Sequence, residues 1–197
     1  DEAHLFKSKS LTAIMTKLIN CKYRFGMTGT LDGTQTHRLV LEGLFGKVEK
    51  VTSTKQLMDK DTLANLKIKC LVLKHKEEDC KVVKDLKYSD ELQYIVTHKT
   101  RNDFISRLCD KLSGNTLCLY QLVEKHGLVL YNLMKDFDRK VFFIHGGTDT
   151  NDREKIRAIT EEQTNAIIVA SYGTFSTGIN IRNLHNIVFA SPSKSRI

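Results

Sequence analysis

The sequence predicts an α/β protein built on parallel strands. Two observations carry that expectation. Four short apolar segments in the second half, Thr116–Tyr120, Val141–Ile144, Ala166–Ala170 and Ile187–Ala190, have strand length and are separated by helical periods or long loops. An apolar fraction of 41% over 197 residues is enough to bury real cores, in one large or two small domains.

Taken in order, Ser10–Asn20 places Leu11, Ile14, Met15, Leu18 and Ile19 at helical spacing, with Ser10 as N-cap. Tyr23–Met27 reads as a short strand running into Thr28-Gly29-Thr30. A helix is expected over Thr36–Leu44, with Gly46 as its stop. Leu66–Leu73 alternates and then becomes continuously apolar, as a strand with one covered face does. From Lys74 to Lys87 the composition turns charged and polar, which reads as a linker, or as a surface loop with a hairpin. Helices follow at Ser89–Thr97 and Arg101–Leu112, ahead of the strand Thr116–Tyr120. Leu128–Phe137 is helical and leads to the strand ended by His145-Gly146-Gly147. Thr150–Glu162 is helical, with acids in its first turn as the helix dipole favours. There is no internal repeat or low-complexity tract, and the single proline, Pro192, lies in the polar segment SPSKSRI.

A formal charge of +8 suits a polyanionic partner. No apolar run is long enough to cross a bilayer, and the acidic, polar start does not resemble a signal peptide. The expectation is therefore a cytoplasmic protein without membrane contact, cut from a longer chain because no Met begins it. The five cysteines show no C-x-x-C spacing, and four lie in apolar periodic segments, so buried free thiols are expected and a zinc site is not.

Ligands of open parallel sheets gather where strands end. Three segments matter on that ground. Asp1-Glu2-Ala3-His4 sets two carboxylates beside a histidine. Thr28-Gly29-Thr30 follows one helix and one strand later, the distance of a single β-α-β step. Ser171–Asn180, SYGTFSTGIN, combines glycines that admit close backbone approach with small hydroxyl donors, which suits a phosphate. Each alone has an ordinary reading: acids favour helix starts, TGT is a turn, and hydroxyl-rich loops are common. Their order is the signal.

In that order, and with FGMTGT, GLFGKV, VASYGTFSTGIN and NLHNIVFA around them, the chain resembles the superfamily 2 DNA helicases, and most of all the UvsW-type helicases of T4-like phages. The resemblance implies two RecA-like lobes with parallel sheets, the first incomplete: lobe 1 over 1–75, a linker over 76–88 and lobe 2 over 89–197. It implies ATP and Mg²⁺ as cofactors. DEAH would be motif II, with Asp1 on the metal, Glu2 as the base for the attacking water, and His4 linking nucleotide state to the neighbouring lobe. Thr28, Gly29 and Thr30 would be motif III, coupling hydrolysis to lobe movement. In lobe 2, Gln121 of motif IV and the His145-Gly146 turn would meet the tracked DNA strand. So would Ser171, Gly173, Thr174 and Thr177 of motif V, while Gly178 and Asn180 would lie towards the nucleotide. Many relatives carry Asp where Asn180 stands.

Two family elements are missing from these residues. No G-x-x-x-x-G-K-[ST] occurs; the nearest match, Gly46-Lys47-Val48, lacks the hydroxyl. The motif VI arginines are also absent, and Arg196 comes too early to be one. Both groups bind the γ-phosphate, so this stretch alone is expected to be inactive as an ATPase. The resemblance implies a parent ATP-dependent helicase acting without sequence preference on single-stranded or branched DNA, in recombination and repair. The alternatives are a non-catalytic nucleic-acid-binding or annealing module, and the translocase subunit of a restriction enzyme.

Overall fold

The two halves of the chain realise their apolar patterns differently. The computed structural model describes residues 2–5, 9–29, 31, 35–175 and 181–192, which group into one compact unit up to Cys70 and another from Leu71 onward.

In the first unit, a single 3₁₀ turn at Ala3–Leu5 precedes α1 (Lys9–Lys17), α2 (Gln35–Phe45) and α3 (Thr54–Asp59). α2 buries Leu41 and Leu44 and stops where Gly46 turns left-handed, at φ +92°, a conformation that costs glycine little. α3 opens on a complete capping box: Ser53 Oγ accepts from the Gln56 N–H, and Gln56 Oε1 accepts from the Ser53 N–H at 2.9 Å. The strands expected at Tyr23–Met27 and Leu66–Leu73 do not form. Both segments lack helix or ladder, with Phe25 82% and Ile68 78% exposed. A strand exists only by pairing its backbone groups along a neighbour, and among the described residues no ladder runs along either segment.

The second unit holds α4 (Glu77–Val83), α5 (Tyr88–Thr97), α6 (Lys99–Lys111), β1 (Thr116–Tyr120), α7 (Leu128–Met134), β2 (Lys140–Ile144), α8 (Thr150–Glu162), β3 (Ala166–Ser171), α9 (Tyr172–Phe175) and β4 (Asn186–Phe189). The charged stretch read as a linker thus carries a helix, α4. Its first turn gathers Glu77, Glu78 and Asp79, the charge that a helix N-terminus favours.

All strand pairs are parallel, in the order β2-β3-β1-β4. Successive side chains point to opposite faces, and both faces are covered. On one, Cys118, Tyr120, Ile167 and Val169 pack with Ile105 and Cys109 of α6 and with Leu130 and Met134 of α7. On the other, Leu117, Leu119, Ile144, Ile168 and Ala170 meet Ile156 of α8 and Phe175 of α9. Two-sided cover explains why Leu117–Tyr120 of β1 and Ala166–Ala170 of β3 are continuously apolar. Each fully buried Ile or Val contributes about 1.5–3 kcal/mol.

The cysteines divide differently from expectation. All five are free; Cys109 and Cys118 are buried, whereas Cys21, Cys70 and Cys80 are exposed. Cys70 lies in the segment that finds no strand partner, and Cys80 lies on a charged helix with no buried residue. Hydrogen bonding to Cys109 and burial push the Cys118 thiol well up, so it stays protonated.

Candidate functional site

The first unit brings DEAH and TGT together. The Ala3 N–H donates to the Met27 carbonyl at 2.9 Å, which fixes the two segments side by side. Gly26 makes that approach possible, since a Cβ there would lie 3.0 Å from both Ala3 Cβ and the Phe45 ring. Glu2 adopts φ 51°, a left-handed turn uncommon for a residue with a side chain. Its carboxylate reaches back to 3.1 Å from His4 Nδ1, and the same nitrogen lies 2.7 Å from Thr28 Oγ1. Nδ1 is thus within hydrogen-bond reach of both oxygens, and the tautomer with its proton there suits the carboxylate, which only accepts. The imidazole is thereby a physical link between the carboxylate at residue 2 and the hydroxyl at residue 28. Gly29 is exposed beside it. Asp1 and Thr30 lie outside the described residues.

In the second unit the expected contact residues gather at one edge. Register pairs Tyr120 with Ser171 and Ile144 with Ala170, so β1, β2 and β3 end level. Gln121, His145-Gly146 and the Ser171–Phe175 turn all leave from that carboxyl edge. Gln121, Gly146 and Gly173 are exposed, and nothing lies within 4 Å of a Cβ built at Gly146 or Gly173. The turn after β2 is held by its own residues: His145 N–H donates to Thr148 Oγ1, Gly147 N–H to His145 Nδ1, and Arg153 to the carbonyls of Gly146 and Thr148. Ser171 Oγ and Thr174 Oγ1 are 2.6 Å apart, and Thr174 is buried. Those two hydroxyls serve the turn itself, which leaves Gly173 and the backbone facing outward. Thr177, Gly178 and Asn180 lie outside the described residues.

The comparisons with known proteins fall on this arrangement. No family model matches the chain. It aligns over its whole length, at 34% identity, with the ATP-dependent DNA helicase UvsW of Enterobacteria phage T4, and spans 40% of that protein. The crystal structure of T4 UvsW matches with a TM-score of 0.61 at 33% identity, over 100% of this chain and 38% of the other. The chain is a relative of the UvsW-type helicases. Its parallel sheet is the RecA-like α/β fold of UvsW.

In this UvsW-like sheet one constellation at the carboxyl edge has no advance sign in the sequence. His126, in the π-helical turn Val123–Gly127, sets Nδ1 2.8 Å from Ser191 Oγ. Ser191 Oγ also accepts from the Gln121 N–H, and its carbonyl accepts from the Tyr172 hydroxyl. Arg101 of α6 donates to the neighbouring Ala190 carbonyl. One serine thus ties together the ends of β1, β3 and β4. Burial, with the Arg101 charge nearby, pushes the His126 imidazole down to about 4, so it is neutral at physiological pH. Ser191 sits in a segment that reads only as polar, and His126 between the expected strand Thr116–Tyr120 and the expected helix Leu128–Phe137. At the opposite edge Asn115 does comparable work: its amide donates to Thr160, Gln163 and Asn183 carbonyls and its oxygen accepts from the Ala166 N–H.

Proposed function

We propose that the chain is part of an ATP-dependent DNA helicase or translocase, carrying the motif II–III corner of one RecA-like lobe, within 1–75, and the DNA-gripping edge of the second, within 89–197. The observation that carries this reading is the level carboxyl edge of β1, β2 and β3. It presents Gln121, His145-Gly146 and the Gly173 turn together, in a chain that matches T4 UvsW from end to end.

At motif II, Asp1 would hold the metal, and Glu2 would orient and deprotonate the attacking water. The donor set fits: carboxylate oxygen is the hard donor that Mg²⁺ and its water shell take, and the Glu2 side chain is half exposed. Magnesium bound with ATP supplies charge to the phosphate oxygens. The His4 link between Glu2 and Thr28 supports a coupling role for His4, Thr28, Gly29 and Thr30, because a shift of the carboxylate is felt at the threonine. Gly178 and Asn180 are assigned to the nucleotide. Gln121, His145, Gly146, Gly173 and Thr177 are assigned to DNA, and Ser171 and Thr174, whose hydroxyls bond each other, to shaping the turn that presents Gly173.

Contacts to the DNA backbone make binding independent of sequence, on single-stranded or branched DNA, and weaken it with salt by a log–log slope of roughly −0.7 per phosphate contact on single strands. Residues 1–197 contain no Walker A sequence, so this stretch by itself is proposed to be inactive as an ATPase. The test uses the full-length protein. Glu2→Gln should abolish DNA-stimulated ATP hydrolysis and leave ATP binding intact; turnover at the parent rate would remove Glu2 from the base role. Absence of hydrolysis in the unmodified full-length protein would instead favour a binding or annealing module.

A further inference from the structure

We propose that His75, Asp79 and His98 form a binding site for a transition-metal dication, with Zn²⁺ the ion their chemistry selects. The site fastens the leading segment of the second unit to the α5–α6 junction.

The three residues come from separate places in the chain. His75 precedes α4, Asp79 lies in its first turn, and His98 stands between α5 and α6. One ligand atom from each falls within 4.8 Å of the others. His98 Nε2 lies 3.9 Å from Asp79 Oδ2. The His75 and His98 rings meet edge to face, with centroids 5.0 Å apart and planes at 85°. The Tyr94 hydroxyl donates to Asp79 Oδ1 at 3.0 Å. That bond orients the carboxylate and leaves Oδ2 to face the histidines, the outer support that metal-bound carboxylates usually have.

Two imidazoles and one carboxylate are nitrogen-rich, which disfavours Mg²⁺ and Ca²⁺ and suits zinc with a water in the fourth position. Tetrahedral donors about 2.1 Å from Zn²⁺ stand about 3.4 Å apart, so the cluster closes by small side-chain rotations, the exposed His75 moving most. The positive end of the α4 dipole opposes a cation there, and Glu77 and Glu78 in the same turn offset it. Binding through Nε2 places the proton of His98 on Nδ1. That ends its acceptance of the Arg101 N–H, a bond already long at 3.4 Å.

The experiment is isothermal titration of metal-stripped full-length protein with Zn²⁺ alone. The exposed Cys21, Cys70 and Cys80 are each replaced by serine, so that thiols cannot bind. His75→Ala and Asp79→Ala are each expected to bind one ion per chain fewer than this background. Tyr94→Phe is expected to weaken that ion by roughly ten-fold. Because His98 also caps α6, His75 and Asp79 carry the decision, and circular dichroism of both variants verifies that they fold. Co²⁺ in place of zinc should give tetrahedral absorption bands that both variants lose. Identical stoichiometry in the background and both folded variants would overturn the site, and would leave His98 and Asp79 as an ordinary polar contact.

Discussion

The two units use similar raw material to different effect. The second covers both faces of a four-stranded sheet, and Ile167, Ile168 and Val169 reach zero exposure. In the first, Ala3, Leu41 and Leu44 are the buried apolar residues among those described, while Val51 is 94% exposed and Phe25 82%. Both contain alternating apolar runs. The difference is whether a run finds a neighbour to pair with, which is a property of the surrounding chain and not of the run. Stability should therefore concentrate in the second unit.

The sharpest way to break that contrast is a paired truncation. Ile168→Ala, in the middle of β3, should lower stability by about 2–5 kcal/mol, whereas Phe25→Ala should stay within about 0.5 kcal/mol. Urea midpoints decide it, and equal losses would dissolve the distinction. Next in size is acid. A His126 held near 4 resists protonation in the folded state, while the unfolded chain takes up a proton as pH falls through about 6.5. Stability should fall as pH drops through the window between those values and level off below it. From pH 7 to pH 5 the His126 share is about 2 kcal/mol, and His126→Gln should remove that share from a pH series of midpoints. The smallest effect belongs to the first unit. Ser53→Ala removes the α3 cap, worth about 1 kcal/mol. Because α3 buries no residue, the change should appear as faster amide exchange within Thr54–Asp59, with the urea midpoint unmoved.

Most of the second unit was readable in advance. Thr116–Tyr120 and Thr150–Glu162 match their expected limits, because long periodic or wholly apolar segments depend little on context. Gly46 was equally legible, since few other residues accept its dihedral. Tyr23–Met27 and Leu66–Leu73 misled for the opposite reason: their pattern describes a strand, and pairing lies beyond what a local pattern encodes. At the candidate site, DEAH and TGT were legible as loops one β-α-β step apart, whereas the contact of His4 with Thr28 is visible only in the fold. The Ser191 hub was not legible. Its partners Gln121, His126 and Tyr172 are scattered along the chain, and only the parallel register brings them together.

The strand order has a bearing on how this chain comes off the ribosome. β1 lies beside β3 and β4, and β2 beside β3 alone, so the two earliest strands are never each other's neighbours. Among the described strands, no ladder can begin until Ala166 and the residues after it have emerged. Until then the nascent chain carries Thr116–Tyr120 and Lys140–Ile144 as sticky, unzipped segments. A translational pause before Ala166 would lengthen that vulnerable interval, and one after Phe189 would find the sheet already closed.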